Sequence, residues 1–69
     1  MREIATISFH DAQTGDQTIA IVRKHDDCIG LCLSLEKDAD LEVFLQEADC
    51  RKIVDALNKA MRGMNTEEN

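Results

Sequence analysis

The sequence predicts an α+β fold: a four-stranded antiparallel β-meander followed by one C-terminal amphipathic helix that packs on one face of the sheet. Three observations lead to this prediction. Apolar residues recur at every second position in four segments of the first 46 residues, short polar segments separate these four, and from residue 47 the apolar spacing becomes helical. Because such short connections join antiparallel neighbours, we expect the strand order 1-2-3-4.

The four predicted strands share a period of two in their apolar residues, and they are Glu3–His10, Gln17–Lys24, Cys28–Glu36 and Leu41–Gln46. The turns between them are polar, and the first, DAQTGD, contains Gly15. In all four strands the strongly apolar residues have odd numbers. We therefore expect the odd-numbered residues to form the face that the helix covers.

The predicted helix begins at Glu47 and carries an apolar stripe on one side. The stripe consists of residues spaced by three and four positions, which are Cys50, Ile53, Val54, Leu57, Met61 and Met64. Gln46 is the expected N-cap, and Gly63 is a natural residue to follow the last helical turn. The sequence thus predicts a single domain over residues 1–64 and a disordered polar tail over residues 65–69.

Length, charge and cysteine content restrict the class of protein. The core of so short a chain yields only about 3–5 kcal/mol, which favours stabilisation by a second subunit. Fourteen acidic residues against eight basic ones give a net charge of −6, which disfavours binding to nucleic acid. The segment MREIATISF has no apolar run typical of a signal peptide, and no stretch is apolar enough to span a membrane. With three cysteines, we expect a cytoplasmic protein with reduced thiols.

The even-numbered strand residues predict a second surface. The side chains in its middle are small and nearly uncharged, whereas a solvated face normally carries more charge. Three interpretations are open: a solvated surface, a homodimer interface, and a surface for a ligand or nucleic acid. We favour the homodimer. The residues predicted to form this dimer or partner face are Ile4, Thr6, Ala20, Val22, Gly30, Cys32 and Phe44. Gly30 in a central strand also indicates that another group approaches the backbone there.

No pattern in the sequence predicts catalysis, a metal site or a cofactor. Cys28 and Cys32 are about 13 Å apart if they lie on one strand, too far to share a zinc ion, so we expect structural cysteines. His10 and His25 are expected in solvated loops. An acidic cluster fits either a solvated turn or weak divalent-cation binding, and it comprises Glu36, Asp38, Asp40 and Glu42.

The order of the elements and the direct junction between the fourth strand and the helix, VFLQEADCRKIVDALNKAM, resemble the PC4-type single-stranded-DNA-binding domains. The resemblance covers roughly Glu3–Met61 and is one of topology. It implies a dimeric protein and, as an alternative function, binding to single-stranded nucleic acid. This chain lacks the basic and aromatic sheet surface of that family, so no functional residue is carried over.

Together these observations favour a small acidic, non-enzymatic protein-interaction or regulatory module that acts as a homodimer. The expected partners are a second copy of the chain and another protein with a basic surface. Nucleic acid is a less favoured partner, and a membrane is not expected. The alternative function is that of a PC4-like single-stranded nucleic-acid-binding protein.

Overall fold

A computed structural model describes residues 2–37 and 40–66 of the chain. Four strands form one open antiparallel sheet in the order β1-β2-β3-β4, and one helix follows them, which confirms the predicted ββββα architecture. The elements are β1 (Arg2–His10), β2 (Gln17–Lys24), β3 (Ile29–Leu35), β4 (Asp40–Leu45) and α1 (Glu47–Thr66). The predicted turn between β3 and β4 falls partly on residues 38 and 39, which lie outside the described residues.

The register of the strands defines two faces, because residues directly opposite each other point to the same side of a sheet. One face, called the apolar face here, contains Ala5, Ile7, Phe9, Ala20, Val22, Ile29, Leu31, Leu33, Leu35, Leu41, Val43 and Leu45. The other, called the mixed face, contains Glu3, Thr6, Ser8, Ile19, Ile21, Arg23, Gly30, Cys32, Ser34, Asp40, Glu42 and Phe44.

The register corrects the expectation that odd-numbered residues share one face in all four strands. His10 pairs with Gln17, and Thr18 pairs with Leu35, so both turns that flank β2 match an even number with an odd one. Ile19 and Ile21 therefore lie on the mixed face, away from the other odd-numbered apolar residues. The length of each turn sets the parity of the pairing, and alternation within a strand carries no information about it.

A register shift in β1 lies between Glu3 and Ala5 and leaves Ile4 as the extra residue of a β-bulge. Beyond the bulge, Ala5 lies opposite Val22 and Thr6 lies opposite Ile21. The bulge interrupts the regular alternation of β1 at its first residues. Since β1 is an edge strand of the open sheet, the irregularity also makes this edge a poorer template for pairing with another strand.

Helix α1 begins at Glu47, as predicted, and only Gln46 lies between it and the end of β4. The backbone N–H of Cys50 donates to the carbonyl of Gln46 at 3.1 Å, which is the first helical hydrogen bond and confirms Gln46 at the N-cap position. The helix continues through Gly63 to Thr66, so Gly63 does not end it. The helix thus extends two residues into the predicted tail, whose disorder stays a prediction, and residues 67–69 lie outside the described part of the chain.

The helix does not lie on the sheet of its own chain, which corrects the expectation that its stripe covers one face. It contacts the sheet mainly through β4 at its own start. The longest dimension of the Cα trace is 44 Å, whereas β1 and α1 are each about 30 Å long, so the helix projects beyond the sheet. The radius of gyration is 14.1 Å, against about 11 Å for a compact chain of this length.

The turn between β1 and β2 is closed by hydrogen bonds from its own residues. The carboxylate Oδ1 of Asp11 accepts from the backbone N–H groups of Gln13 and Thr14 at 2.8 and 3.0 Å. These two bonds favour the charged form and lower the pKa of Asp11, with Thr14 giving the larger effect. Gly15 has a φ of 81°, a left-handed conformation that a side chain disfavours.

The two exposed glycines allow one substitution to be tested in opposite directions. Gly15→Ala places a Cβ in the left-handed conformation, so we expect it to lower the free energy of unfolding by about 1 kcal/mol. Gly63→Ala lies in the helix with open space around its Cβ, so we expect it to raise the free energy by about 0.5–1 kcal/mol. Urea unfolding of both variants at one protein concentration measures the difference, and changes of the same sign would contradict the assigned conformations.

Candidate interaction surfaces

The apolar face of the sheet is largely open to solvent. On its two edge strands, Ile7 is 52% exposed and Leu41 is 58% exposed, and Phe9 and Val43 are also classed as exposed. The residues of β3 on this face, in the centre of the sheet, are only half-buried. A face of this composition is the side of a sheet that normally packs against a second layer.

The helix stripe is the second uncovered apolar surface. Ile53, Val54, Leu57 and Met61 are all exposed, and only Cys50, in the first turns next to the sheet, is half-buried. The polar side of the helix carries Lys52, Asp55, Asn58, Lys59 and Arg62, so the amphipathic pattern is preserved. A helix with this pattern gains most of its stability by burying its apolar side against another element.

No apolar side chain among the described residues is buried, and the one buried polar residue is Thr18, whose hydroxyl donates to the carbonyl of Asp16. The single chain exposes 5625 Å² of surface. A compact monomer of this mass exposes about 4,400 Å², so the excess is roughly 1,200 Å². A stable protein–protein interface buries about 800 Å² per partner, and obligate dimers bury more. The excess therefore has the size of one dimer interface.

The structure divides the seven residues that the sequence placed on one partner face. Thr6, Gly30, Cys32 and Phe44 do share the mixed face. The other members lie elsewhere: Ala20 and Val22 belong to the apolar face, and Ile4 occupies the bulge of β1. The prediction that all seven residues share one face is therefore wrong. No finding tests their role in an interface, so that role stays a prediction.

Three side chains lie over Gly30 on the mixed face. A Cβ at this position would be 3.3 Å from Glu42 Oε2 and His25 Nε2, and 3.4 Å from Phe44 Cε1. The rings of His25 and Phe44 meet edge to face with their centroids 5.5 Å apart. The close approach to Gly30 that the sequence indicated is thus made by side chains of the same chain. Phe44 nevertheless remains 59% exposed.

An ion pair crosses the same region. Arg23 Nη1 donates to Glu42 Oε2 at 3.0 Å, and both side chains are about two-thirds covered. The pair joins β2 to β4 across β3, above the position where Gly30 has no side chain. The charge of Arg23 is therefore neutralised at the centre of the mixed face, which leaves this face without an excess of positive charge there.

The surroundings of His25 differ from those that the sequence predicted. It was expected in a solvated loop, but it is half-buried, and its Nε2 atom is buried without a hydrogen-bond partner. Its backbone N–H donates to the carbonyl of Cys28 at 2.9 Å, which closes the turn, and its ring contacts the ring of Phe44. The only sequence signal for this arrangement was Gly30, which leaves room for the ring.

Cys28, Glu36 and Asp40 each interact with a polar group nearby. Cys28 precedes β3, and its pKa is raised by partial loss of solvation and by the nearby negative charge of Asp27, which makes its thiol a poorer nucleophile. Among the described residues, no group of three His, Cys, Asp or Glu side chains could hold a metal ion.

In the acidic cluster, Glu36 accepts a hydrogen bond from the Gln17 backbone N–H, and Asp40 accepts one from the Ser34 hydroxyl. Asp38 lies outside the described residues.

A shallow depression of about 490 Å³ lies at the end of the sheet where the β2–β3 turn meets the start of the helix. Its apolar walls include Ile4, Val22 and Ile29, and Glu47 lies at its border. Val22 and Ile29 belong to the apolar face, so the depression is a continuation of that face.

No family model, characterised protein or solved structure matches this chain. Among residues 2–37 and 40–66, no helix is long and apolar enough to cross a membrane.

Proposed function

We propose that this chain is a small acidic, non-enzymatic protein-interaction module that acts as a homodimer. The observation that supports the proposal is the lack of a buried apolar side chain among the described residues, together with two uncovered apolar surfaces. A sheet whose apolar face stays in water buries little apolar area to offset the conformational entropy of folding. A second copy supplies the missing layer, and the excess exposed surface agrees with the area that such an interface needs.

The mixed face is the surface that dimerisation through the apolar surfaces leaves free for another protein. It carries the exposed ring of Phe44 and the carboxylates of Glu3, Asp40 and Glu42. Residues 1–46 as a whole contain nine acidic residues against four basic ones. Such a surface favours a partner rich in Lys and Arg, through charge attraction and through cation–π contact with the ring.

We place this module in the cytoplasm, and the three unpaired thiols support that location.

Binding to single-stranded nucleic acid is the less favoured function. The acidic sheet repels phosphate, and Arg23 is already paired with Glu42.

Dimerisation is tested by a charge placed on the helix stripe. Leu57 is 58% exposed in the protomer, so Leu57→Asp costs little there, but in a dimer interface it buries an unpaired charge. We expect this variant to weaken self-association by at least 100-fold, measured by sedimentation equilibrium. The matched control is Asn58→Asp, which adds the same charge at the next position, toward the polar side, and leaves association within about threefold. A monomeric wild-type chain at tens of micromolar contradicts the proposal.

The partner surface is tested with two labelled probes in fluorescence anisotropy at low salt. We expect a peptide rich in Lys and Arg to bind with an affinity that falls as salt is added, and a single-stranded oligothymidylate to show no binding. Phe44→Ala is expected to weaken peptide binding about three- to fivefold through loss of the cation–π contact, whereas Ser8→Ala, near the opposite edge of the same face, leaves it unchanged. Binding of the oligonucleotide without the peptide would favour the nucleic-acid function instead.

A further inference from the structure

The geometry points to a reciprocal dimer in which helix α1 of each protomer packs along the central strands on the apolar face of its partner's sheet. This inference rests on the proposed homodimer and specifies how it is built. It assigns one occupant to both uncovered surfaces, because the helix stripe of one copy covers the apolar face of the other. Each dimer then contains two equivalent helix–sheet contacts related by twofold symmetry.

The junction between β4 and α1 explains why the helix does not cover its own sheet. Leu45 ends β4 and Glu47 begins α1, so Gln46 alone connects them. Connections between strands and helices that reverse direction usually need two to six residues. The hydrogen bond from Cys50 to the Gln46 carbonyl also fixes the first helical turn directly at the end of the strand. The helix therefore continues past the sheet, where a second protomer can receive it.

The two surfaces match in length. The helix stripe runs from Cys50 to Met64, which is about 21 Å at the rise of an α-helix. The apolar residues of the central strand run from Ile29 to Leu35, which is about 20 Å at the rise of a β-strand. A partner helix laid along the central strands can thus place its entire stripe on the apolar face. This one helix–sheet contact then covers the helix stripe and the apolar face along their whole length.

The charges of the two parts also favour a contact between helix and sheet. Residues 1–46 carry nine acidic and four basic residues, a net charge of −5, whereas residues 47–69 carry five acidic and four basic residues, a net charge of −1. A contact between two sheets would bring together two parts of charge −5. A contact between helix and sheet brings together parts of charge −1 and −5, so the repulsion between them is much weaker. Electrostatics therefore favours the reciprocal arrangement over a face-to-face sandwich of sheets.

Complementation between two damaged variants tests this arrangement. Leu57→Asp damages the helix stripe, and Val43→Asp damages the apolar face at a position that is 40% exposed in the protomer. In a homodimer of either variant, both helix–sheet contacts contain a buried charge. In the mixed dimer, the intact helix of one chain meets the intact face of the other, so one of the two contacts is free of charge.

We expect an equimolar mixture to associate at least tenfold more tightly than either variant alone, measured by sedimentation velocity. Far-UV circular dichroism of the same mixture records the recovery of folded structure, so the test also works if a single variant does not fold alone. As a matched control, Leu57→Asp is mixed with Met61→Asp. Both changes lie on the helix stripe, every contact stays damaged, and no gain is expected.

The possible results separate the inference from the proposal beneath it. A wild-type dimer whose two variants do not complement each other overturns the reciprocal arrangement and leaves the homodimer standing. A wild-type monomer overturns both. Strong association of Leu57→Asp alone, with loss of association only in Val43→Asp, indicates a contact between two sheets and also overturns the reciprocal arrangement.

Discussion

The uncovered apolar surface is the constraint on which the rest of this structure depends. The sheet has a face made almost entirely of aliphatic residues and Phe9, and the helix has a stripe of the same character, yet the two do not meet within the chain. Burial of apolar area is the main favourable term in folding, and hydrogen bonds within a sheet contribute little net free energy beside it. We therefore propose that a second copy supplies a further layer at the apolar face, which the helix of the same chain leaves uncovered.

Much of the fold could be predicted from the spacing of apolar residues. All four strands start and end within one residue of the predicted bounds, and both Gln17–Lys24 and the helix start at Glu47 agree with the prediction without any shift. Period two and period 3.6 are local properties, and they survive because each strand and the helix keep one apolar side. The helix end was misplaced because Gly63 was assigned to a cap, although a glycine is tolerated inside a helix at a cost of about 1 kcal/mol.

The grouping of residues into faces could not be predicted in the same way. It depends on the register of the strands, which the length of each turn sets. It also depends on the bulge at Ile4, which no residue pattern predicted. Ala20 and Val22 were placed on the wrong side for this reason. The ion pair of Arg23 with Glu42 and the contact of His25 with Phe44 join residues 19 positions apart, so only the assembled sheet brings them together.

The position of the helix was misjudged because a helix after a sheet was assumed to fold back on it, whereas the one-residue junction at Gln46 directs it outward. The central claim that follows is that folding and dimerisation are one process. Thermal unfolding followed by circular dichroism over a hundredfold range of protein concentration tests this claim most directly. The account predicts a midpoint that rises steadily with concentration, because mass action stabilises an associated state. A midpoint independent of concentration would contradict it.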